Sequence, residues 1–187
     1  MPHTILFTRE PEPAHQQFAQ SLGLKLHAMP LIQTSLYNDA GELTAALVTD
    51  QNAAVAFTSR NAVAFVAQFP EVLEMLKNRN LFAVGAKTAE ALAAAGLHAA
   101  YPAVQTASEL AMVLGAHAGK VKSVIHPAGN RRRADLEKGL QRQGTGYTPV
   151  TVYDTDTLQP EPHLPKALSA VVFASPSAVQ AFFQQGF

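Results

Sequence analysis

The sequence predicts an α/β fold made of two similar small domains, each with a parallel sheet flanked by helices. Short apolar runs alternate along the chain with longer segments rich in Ala, Leu, Gln and Glu. This alternation is typical of parallel strands joined by crossover helices. A match of the chain to itself indicates that one such unit occurs twice. We expect a two-stranded crossing to join the two domains.

Strands are predicted where apolar residues run together between turn residues. They fall at residues 4–7, 24–27, 29–33, 53–57, 81–84, 98–101, 121–126, 150–153 and 170–173. Helices are predicted for the longer segments, at residues 14–22, 42–48, 61–68, 71–76, 88–95, 109–114, 132–143 and 177–184. Gly23, Gly96 and Gly144 should end three helices, because Gly accepts a left-handed backbone without steric cost. Thr106 or Ser108 should cap the helix at 109–114 with its hydroxyl.

Two internal matches support the repeat. Residues 54–67, AVAFTSRNAVAFVA, match residues 170–183, AVVFASPSAVQAFF, at six of fourteen positions without a gap. This match favours a duplication. A looser match relates residues 1–34 to 121–153, and it is equally typical of unrelated strand–turn–helix units. The first unit continues into VGAKTAEAL whereas the second stops before a counterpart, so we expect domain one to be C-terminally incomplete at residue 187.

Composition excludes several function classes. The 14 basic and 14 acidic residues cancel, which argues against a nucleic-acid or membrane partner. The chain has no cysteine, so it has neither disulfides nor thiolate sites, and a cytoplasmic location is expected. The seven histidines lack the paired spacing of metal ligands, so no metal is predicted. No apolar stretch approaches the length of a membrane span.

Five polar turns follow predicted strands, at residues 8–10, 58–61, 84–88, 127–132 and 174–177. In open α/β sheets ligands bind beyond the carboxyl ends of the strands, where helix N-termini favour anions. None of these turns is a standard nucleotide motif. Asn80 stands five positions before Gly85, where a P-loop would have its first glycine. No G-x-G-x-x-G motif and no nucleophile elbow occurs. The turns therefore predict a site for an anionic small molecule.

Several polar residues in these turns have two interpretations. Thr88 could bind a ligand or simply cap its helix. Arg131 and its two neighbours could pair with a carboxylate or form a solvated helix face. Tyr153 could donate a hydrogen bond at the mouth of a cleft or be a packed side chain. Ser59 and Ser175 lack an identifiable His–Asp partner that would make either a nucleophile.

Seven segments occur in the order seen in uroporphyrinogen-III synthases, and the chain resembles this family over residues 4–183. The segments are ILFTRE, FTSRNAV, VGAKTAEAL, TASELA, PAGNRRRADLEKGL, PVTVYDT and FASPSAV. The resemblance implies a discontinuous domain one at residues 1–34 plus 153–187 and a domain two at residues 36–149. It also implies cyclisation of hydroxymethylbilane, a linear tetrapyrrole polyanion, with loss of water and inversion of the terminal ring, giving uroporphyrinogen III.

The resemblance further implies roles for individual residues. Tyr153 corresponds to the family's tyrosine in the return crossing and would assist hydroxide departure. The implied substrate-binding residues are Thr8, Arg9, Thr58, Ser59, Arg60, Gly85, Lys87, Thr88, Gly129, Asn130, Arg131, Ser175 and Ser177. No cofactor is expected, the protein should be a monomer, and the preceding deaminase could hand over the substrate. The alternative is a non-catalytic, two-lobed binding protein for an anionic small molecule.

Overall fold

The computed structural model describes residues 3–116, 121–159, 164–165 and 167–186. The strands in these residues are β1 (Thr4–Phe7), β2 (Lys25–Ala28), β3 (Ile32–Leu36), β4 (Ala54–Phe57), β5 (Leu81–Ala83), β6 (Ala99–Ala100), β7 (Ser123–Gly129), β8 (Gly146–Thr157) and β9 (Ala170–Val172). The helices are α1 (Pro13–Ser21), α2 (Gly41–Thr49), α3 (Arg60–Val66), α4 (Pro70–Lys77), α5 (Ala86–Ala94), α6 (Ala107–Ala116), α7 (Asp135–Gln141) and α8 (Pro176–Gln184). The predicted end of domain one at residue 187 lies outside the described residues.

The strands form two sheets, which confirms the predicted α/β class. One sheet has the order β2-β1-β9, and the other has the order β3-β8-β7-β4-β5-β6. The pairs β1–β2, β1–β9, β4–β5, β4–β7, β5–β6 and β7–β8 are all parallel. Parallel pairing follows from the helices that connect successive strands.

The chain divides into two compact units, Met1–Thr34 with Thr155–Phe187 (unit 1) and Ser35–Asp154 (unit 2). It passes from one unit to the other within β3 and again within β8, which are neighbours in the larger sheet. The sequence interpretation ended domain two at residue 149 and began the return of domain one at residue 153. In the structure Tyr153 belongs to unit 2, which ends at Asp154, and β8 spans this boundary.

Unit 2 is stabilised by a hydrophobic core on each face of its sheet. Val55 and Phe57 of β4 contribute to one core, whereas Ala54 and Ala56 contribute to the other. This division follows from the two-residue period of a strand, and it explains why β4 is apolar at every position. The first core packs against α2 to α5 and the second against α6 and α7.

Unit 1 has a smaller core of its own. Its fully or nearly fully buried members come from β1, the segment before β3, and α8, namely Leu6, Met29, Leu31, Ala181 and Phe182. Helix α8 begins with Pro176 at its first position, where the missing N–H has no intrahelical partner to lose.

The predicted helix ends are confirmed. Gly23, Gly96 and Gly144 have φ values of 66°, 79° and 68°, which is the left-handed region that favours glycine. Of the two residues proposed to cap α6, Thr106 does so, since its Oγ1 accepts a hydrogen bond from the Glu109 amide at 3.2 Å.

Three local predictions were wrong. The segment PAGN was expected to be a turn, but β7 continues to Gly129. Its pairing with β4 ends at Ile125, so Pro127, which lacks an N–H, costs that ladder nothing. The strand predicted at residues 29–33 lies at Ile32–Leu36. The predicted helix at 132–143 begins only at Asp135, because acidic side chains stabilise a first helical turn and arginines do not.

Candidate functional site

The candidate site lies at the carboxyl edge of the unit 2 sheet. Strands β7, β4 and β5 run parallel, so their carboxyl ends meet at one edge, where ligands bind in open α/β sheets. Nine of the predicted binding residues lie at the ends of these strands or immediately after them: Thr58, Ser59, Arg60, Gly85, Lys87, Thr88, Gly129, Asn130 and Arg131. The edge is polar and carries exposed cationic side chains at Arg60, Lys87 and Arg131.

Ser59 forms the entrance to α3. Its Oγ accepts a hydrogen bond from the Asn61 amide at 3.1 Å, so Ser59 is the N-cap of this helix. Accepting this bond leaves the hydroxyl proton free to point elsewhere, because a serine hydroxyl is both donor and acceptor. Ser59 is therefore placed to stabilise the helix and to donate to a ligand at the same time.

Gly85 is the N-cap of α5, and the side chain of Gln105 lies against it. A Cβ at residue 85 would come within 2.8 Å of the Gln105 carboxamide carbon, so only glycine leaves room for this side chain. The Gln105 Oε1 accepts a hydrogen bond from the Ala86 amide at 3.2 Å. Thr88 is buried in the first turn of the helix, three residues beyond the cap. The interpretation of Thr88 as the helix cap is therefore wrong.

Tyr153 is positioned by an irregularity in β8. Ala128 pairs with Thr151, whereas Gly129 pairs with Tyr153, so β8 carries one extra residue at Val152. Such a bulge re-aims the side chain that follows it. A Cβ at Gly129 would lie 2.6 Å from Cζ of Tyr153, which means that the phenol ring occupies the space that the glycine leaves open. The Asn130 amide also donates to the Tyr153 carbonyl at 3.2 Å.

Thr58 is the first of three buried or half-buried polar side chains that are linked by hydrogen bonds. The Thr58 Oγ1 and the His126 Nε2 are 2.8 Å apart, and the His126 Nδ1 and the Tyr147 hydroxyl are also 2.8 Å apart. The His126 side chain is almost fully buried. Both of its ring nitrogens therefore have a hydrogen-bonding partner, as a buried imidazole requires.

Burial determines the protonation states of His126 and Tyr147. Desolvation of the imidazole, helped by the positive charge of Arg132, lowers the pKa of His126 to about 4. Burial raises the pKa of the Tyr147 phenol, an effect that the Arg132 guanidinium partly opposes. At neutral pH His126 is thus a neutral imidazole between two neutral hydroxyls.

Unit 1 holds the four remaining predicted residues. Thr8 is fully buried; its Oγ1 donates to the Val172 carbonyl at 3.1 Å and accepts from the Ala174 amide at 3.2 Å. Its predicted role as a binding residue therefore does not fit this structure, in which Thr8 ties β1 to the end of β9. Arg9 pairs with Glu12 at 3.2 Å.

Ser175 is the N-cap of α8 and accepts from the Ala178 amide at 3.1 Å. Ser177 follows in the first turn of the same helix and is half-buried.

Sequence reasoning missed His126, Tyr147 and Gln105. His126 lies in the run SVIHPAG, where a polar residue at an inward strand position was a signal that could have been noticed. The partners of His126 are 68 and 21 residues away in the chain, so only the fold brings them together. Gln105 carries no such signal.

Two further properties follow from the described part of the chain. None of its helices is long and apolar enough to cross a membrane. Among the same residues, no group of three or more His, Asp or Glu side chains could hold a metal ion.

Comparison with known proteins identifies the family. The family model for uroporphyrinogen-III synthase HemD matches residues 14–186. No sequence among curated proteins matches the chain significantly.

Similar solved structures share the fold. A mutant uroporphyrinogen III synthase from the extremely thermophilic bacterium Thermus thermophilus superposes with a TM-score of 0.71 at 18% identity, covering 98% of this chain and 77% of the other. The uroporphyrinogen-III synthetase from Helicobacter pylori gives a TM-score of 0.67 at 20% identity, covering 100% and 79%. The wild-type Thermus enzyme gives 0.62 at 19% identity, covering 98% and 76%.

Proposed function

The chain belongs to the uroporphyrinogen-III synthase family, and on that basis we propose how its residues carry out the family's reaction. The enzyme is a cyclising lyase. It converts hydroxymethylbilane to uroporphyrinogen III by loss of water, with inversion of the terminal pyrrole ring. The substrate is a flexible chain with carboxylate side chains on every ring, so the protein must hold many anionic groups while one bond breaks and another forms.

Tyr153 is the proposed donor to the departing hydroxyl. The observation that carries this assignment is the bulge at Val152, which places the phenol over Gly129 at the carboxyl edge of the sheet. As the C–O bond breaks, its electron pair stays with the oxygen, and a hydrogen bond from the phenol stabilises the developing negative charge. The electron-rich pyrrole supplies electrons to the carbon that is left behind.

Carboxylate binding is proposed for the polar residues of the same edge. Arg60, Lys87 and Arg131 are exposed cations, and guanidinium groups bind carboxylates in a bidentate manner. Thr58 and Ser59 supply hydroxyl donors, Asn130 supplies an amide, and the Gly85 turn opens α5, whose N-terminus favours an anion. Thr88 remains a proposed contact, although its burial means that only a group reaching into the turn could touch it.

Unit 1 is proposed to contribute Arg9, Ser175 and Ser177 as further contacts for carboxylates. Arg9 is engaged with Glu12 in an exposed ion pair, which is worth little and is easily exchanged for a substrate carboxylate. Thr8 is left out of this set because both of its hydrogen bonds are used within unit 1.

Ring closure at the inverted position is then a matter of positioning. Holding the carboxylates at several fixed points restricts the chain to conformations in which the reacting carbons approach, which reduces the entropic cost of closure. We also propose that the enzyme acts as a cytoplasmic monomer without a cofactor, on hydroxymethylbilane supplied by the preceding deaminase. The absence of cysteine supports a reducing compartment.

The proposed function is tested by adding the protein to a porphobilinogen deaminase reaction. The products are oxidised to porphyrins and the isomers are separated by chromatography. We expect the type III isomer to increase with protein concentration, against a control without the protein that yields type I. Formation of type I alone at every protein concentration would contradict the function.

A further inference from the structure

We propose that His126 and Tyr147 are positioning residues that fix the Thr58 hydroxyl as a hydrogen-bond donor to a substrate carboxylate. This inference rests on the proposed binding role of Thr58. Neither His126 nor Tyr147 is required to contact the substrate.

The geometry provides a continuous chain of hydrogen bonds. Tyr147 and Thr58 each lie 2.8 Å from one nitrogen of the His126 ring. The imidazole is clamped on both sides, so it can rotate only by breaking two hydrogen bonds in a buried position. Thr58 is half-buried and directly follows β4, so part of its surface is accessible at the carboxyl edge.

The direction of the hydrogen bonds follows from the far end of the chain. Arg132 lies close enough to Tyr147 for its positive charge to act on the phenol. A neighbouring cation favours the orientation in which the phenol oxygen faces it, so the hydroxyl proton is directed away from Arg132 and toward the His126 Nδ1. A neutral imidazole that accepts at Nδ1 carries its proton at Nε2 and donates to Thr58.

Thr58 is then left with one role toward a ligand. Its oxygen accepts from His126, so its proton is not used in that hydrogen bond and is available to another acceptor. A carboxylate is acceptor-only at neutral pH, which matches a polyanionic substrate. The hydrogen bonds of His126 and Tyr147 thus select one of the two orientations that a free threonine hydroxyl would otherwise sample.

Unit 1 shows that the framework does not require these polar groups. In the repeat, the register of β1 with β9 and of β7 with β4 makes Phe7 the counterpart of His126. A phenylalanine thus occupies the same strand position within a folded core. The substitution His126→Phe therefore removes the hydrogen bonds while keeping a ring of similar size.

The test is a set of double-mutant cycles measured with type III isomer formation. His126→Phe and Tyr147→Phe should each raise KM roughly 10-fold, the effect of losing one oriented hydrogen bond to a charged group, with kcat nearly unchanged. In a Thr58→Val background, either substitution should cause no further change. In a Thr58→Ser background, which keeps the hydroxyl, the full effect should return. Tyr101→Phe, at an exposed position, is the matched control.

Additive effects in the Thr58→Val background, or no effect in wild type, would overturn the proposal. Tyr147→Phe deletes a single oxygen, so it carries the test if His126→Phe does not fold. ¹⁵N NMR of the imidazole gives a readout that does not depend on activity. We expect the Nε2-protonated tautomer, with an Nδ1 shift that changes in Tyr147→Phe. An Nδ1-protonated ring would refute the proposed direction of the hydrogen bonds. The Nε2-protonated tautomer in a protein that forms no type III isomer would contradict only the proposed synthase activity.

Discussion

Two regions of the molecule share one framework but differ in the chemistry placed on it. In unit 1 the strands have the order β2-β1-β9, and in unit 2 the order β8-β7-β4 forms the middle of the larger sheet. Ile5 pairs with Ala170 and with Leu26, while Val124 pairs with Ala54 and with Tyr147. The gapless sequence match makes Ala54 and Ala170 equivalent, so the two sets of strands are paired in the same register.

The difference lies in three equivalent positions of the two sets of strands. Unit 1 has apolar residues where unit 2 has a hydrogen-bonded set; the pairs are Phe7 and His126, Leu26 and Tyr147, and Ala174 and Thr58. The backbone framework therefore tolerates both solutions. What distinguishes unit 2 is that hydrogen-bonded polar groups lie behind its carboxyl edge, and a satisfied buried network of this kind holds its members in fixed positions.

The largest effect is expected on the stability of the protein when acid protonates His126. His126 is neutral in the folded state, with a pKa of about 4 against 6.5 in the unfolded chain. Between these pH values the unfolded state binds more protons than the folded state. The contribution of His126 to the free energy of unfolding is therefore fully present above pH 6.5 and is lost as the pH falls toward 4. The full loss from this group is about 3 kcal/mol.

Urea unfolding of wild type and His126→Phe between pH 7 and pH 4 measures this term. The free energy of unfolding of the variant should depend less on pH than that of wild type, because phenylalanine does not titrate. His98→Phe, at an exposed position, should retain the pH dependence of wild type. If His126→Phe keeps the wild-type slope as well, the imidazole is not held neutral by burial.

The second prediction concerns the bulge that places Tyr153, a feature of β8. Tyr153→Phe should lower kcat by roughly 10²-fold without loss of folding, since it removes only the proposed donor. Gly129→Ala should lower kcat to a similar extent, because its Cβ would lie 2.6 Å from Cζ of the ring and must displace it.

Steady-state assays of the two variants and of their double mutant check this assignment. The double mutant should be no worse than either single variant, because both changes remove the same interaction. Gly41→Ala is a suitable control, since the nearest atoms to its Cβ would be the carboxylate oxygens of Asp39, at 3.3 Å. Full activity of Tyr153→Phe would remove the tyrosine from the mechanism.

The sequence predicted the framework better than the site, for physical reasons. Strand β4 and the glycines after α1, α5 and α7 were found because burial and left-handed backbone leave local signals. The extension of β7 through Pro127 was missed because the absence of a β4 partner there is a property of the sheet. The setting of His126 was missed for the same reason, since its two partners come from other strands.

Among the predicted binding residues, those directly after β4 were placed correctly, whereas those whose setting depends on distant contacts were not. Thr58 and Ser59 lie where the sequence placed them, immediately after β4, because the end of this strand is visible as the change from apolar to polar residues. The burial of Thr8 and the placement of Gln105 over Gly85 depend on contacts across 166 and 19 residues of chain, respectively, which no local pattern reports.

The smallest expected effects test what the two units share. Ser59 and Ser175 are equivalent in the repeat, and each caps a helix with a hydrogen bond of 3.1 Å. Ser59→Ala and Ser175→Ala should each lower stability by about 1 kcal/mol, as typical for loss of an N-cap. Ser177→Ala lies inside the first turn of α8 and should change stability by less than about 0.5 kcal/mol. Urea unfolding and amide hydrogen exchange at α3 and α8 measure these effects.

Aspartate at the same two positions separates the cap from the ligand contact. Aspartate caps helices as well as serine does, so Ser59→Asp and Ser175→Asp should retain stability. The new negative charge would repel a substrate carboxylate, so KM should rise by roughly 10-fold wherever the serine contacts substrate. A rise in KM for Ser59→Asp but not for Ser175→Asp would mean that the repeated serine serves the helix in both units and the substrate only in unit 2. Unchanged KM in both variants would leave the serine with its capping role alone, and the proposed carboxylate binding at the edge would then rest on its cations and the threonine hydroxyl.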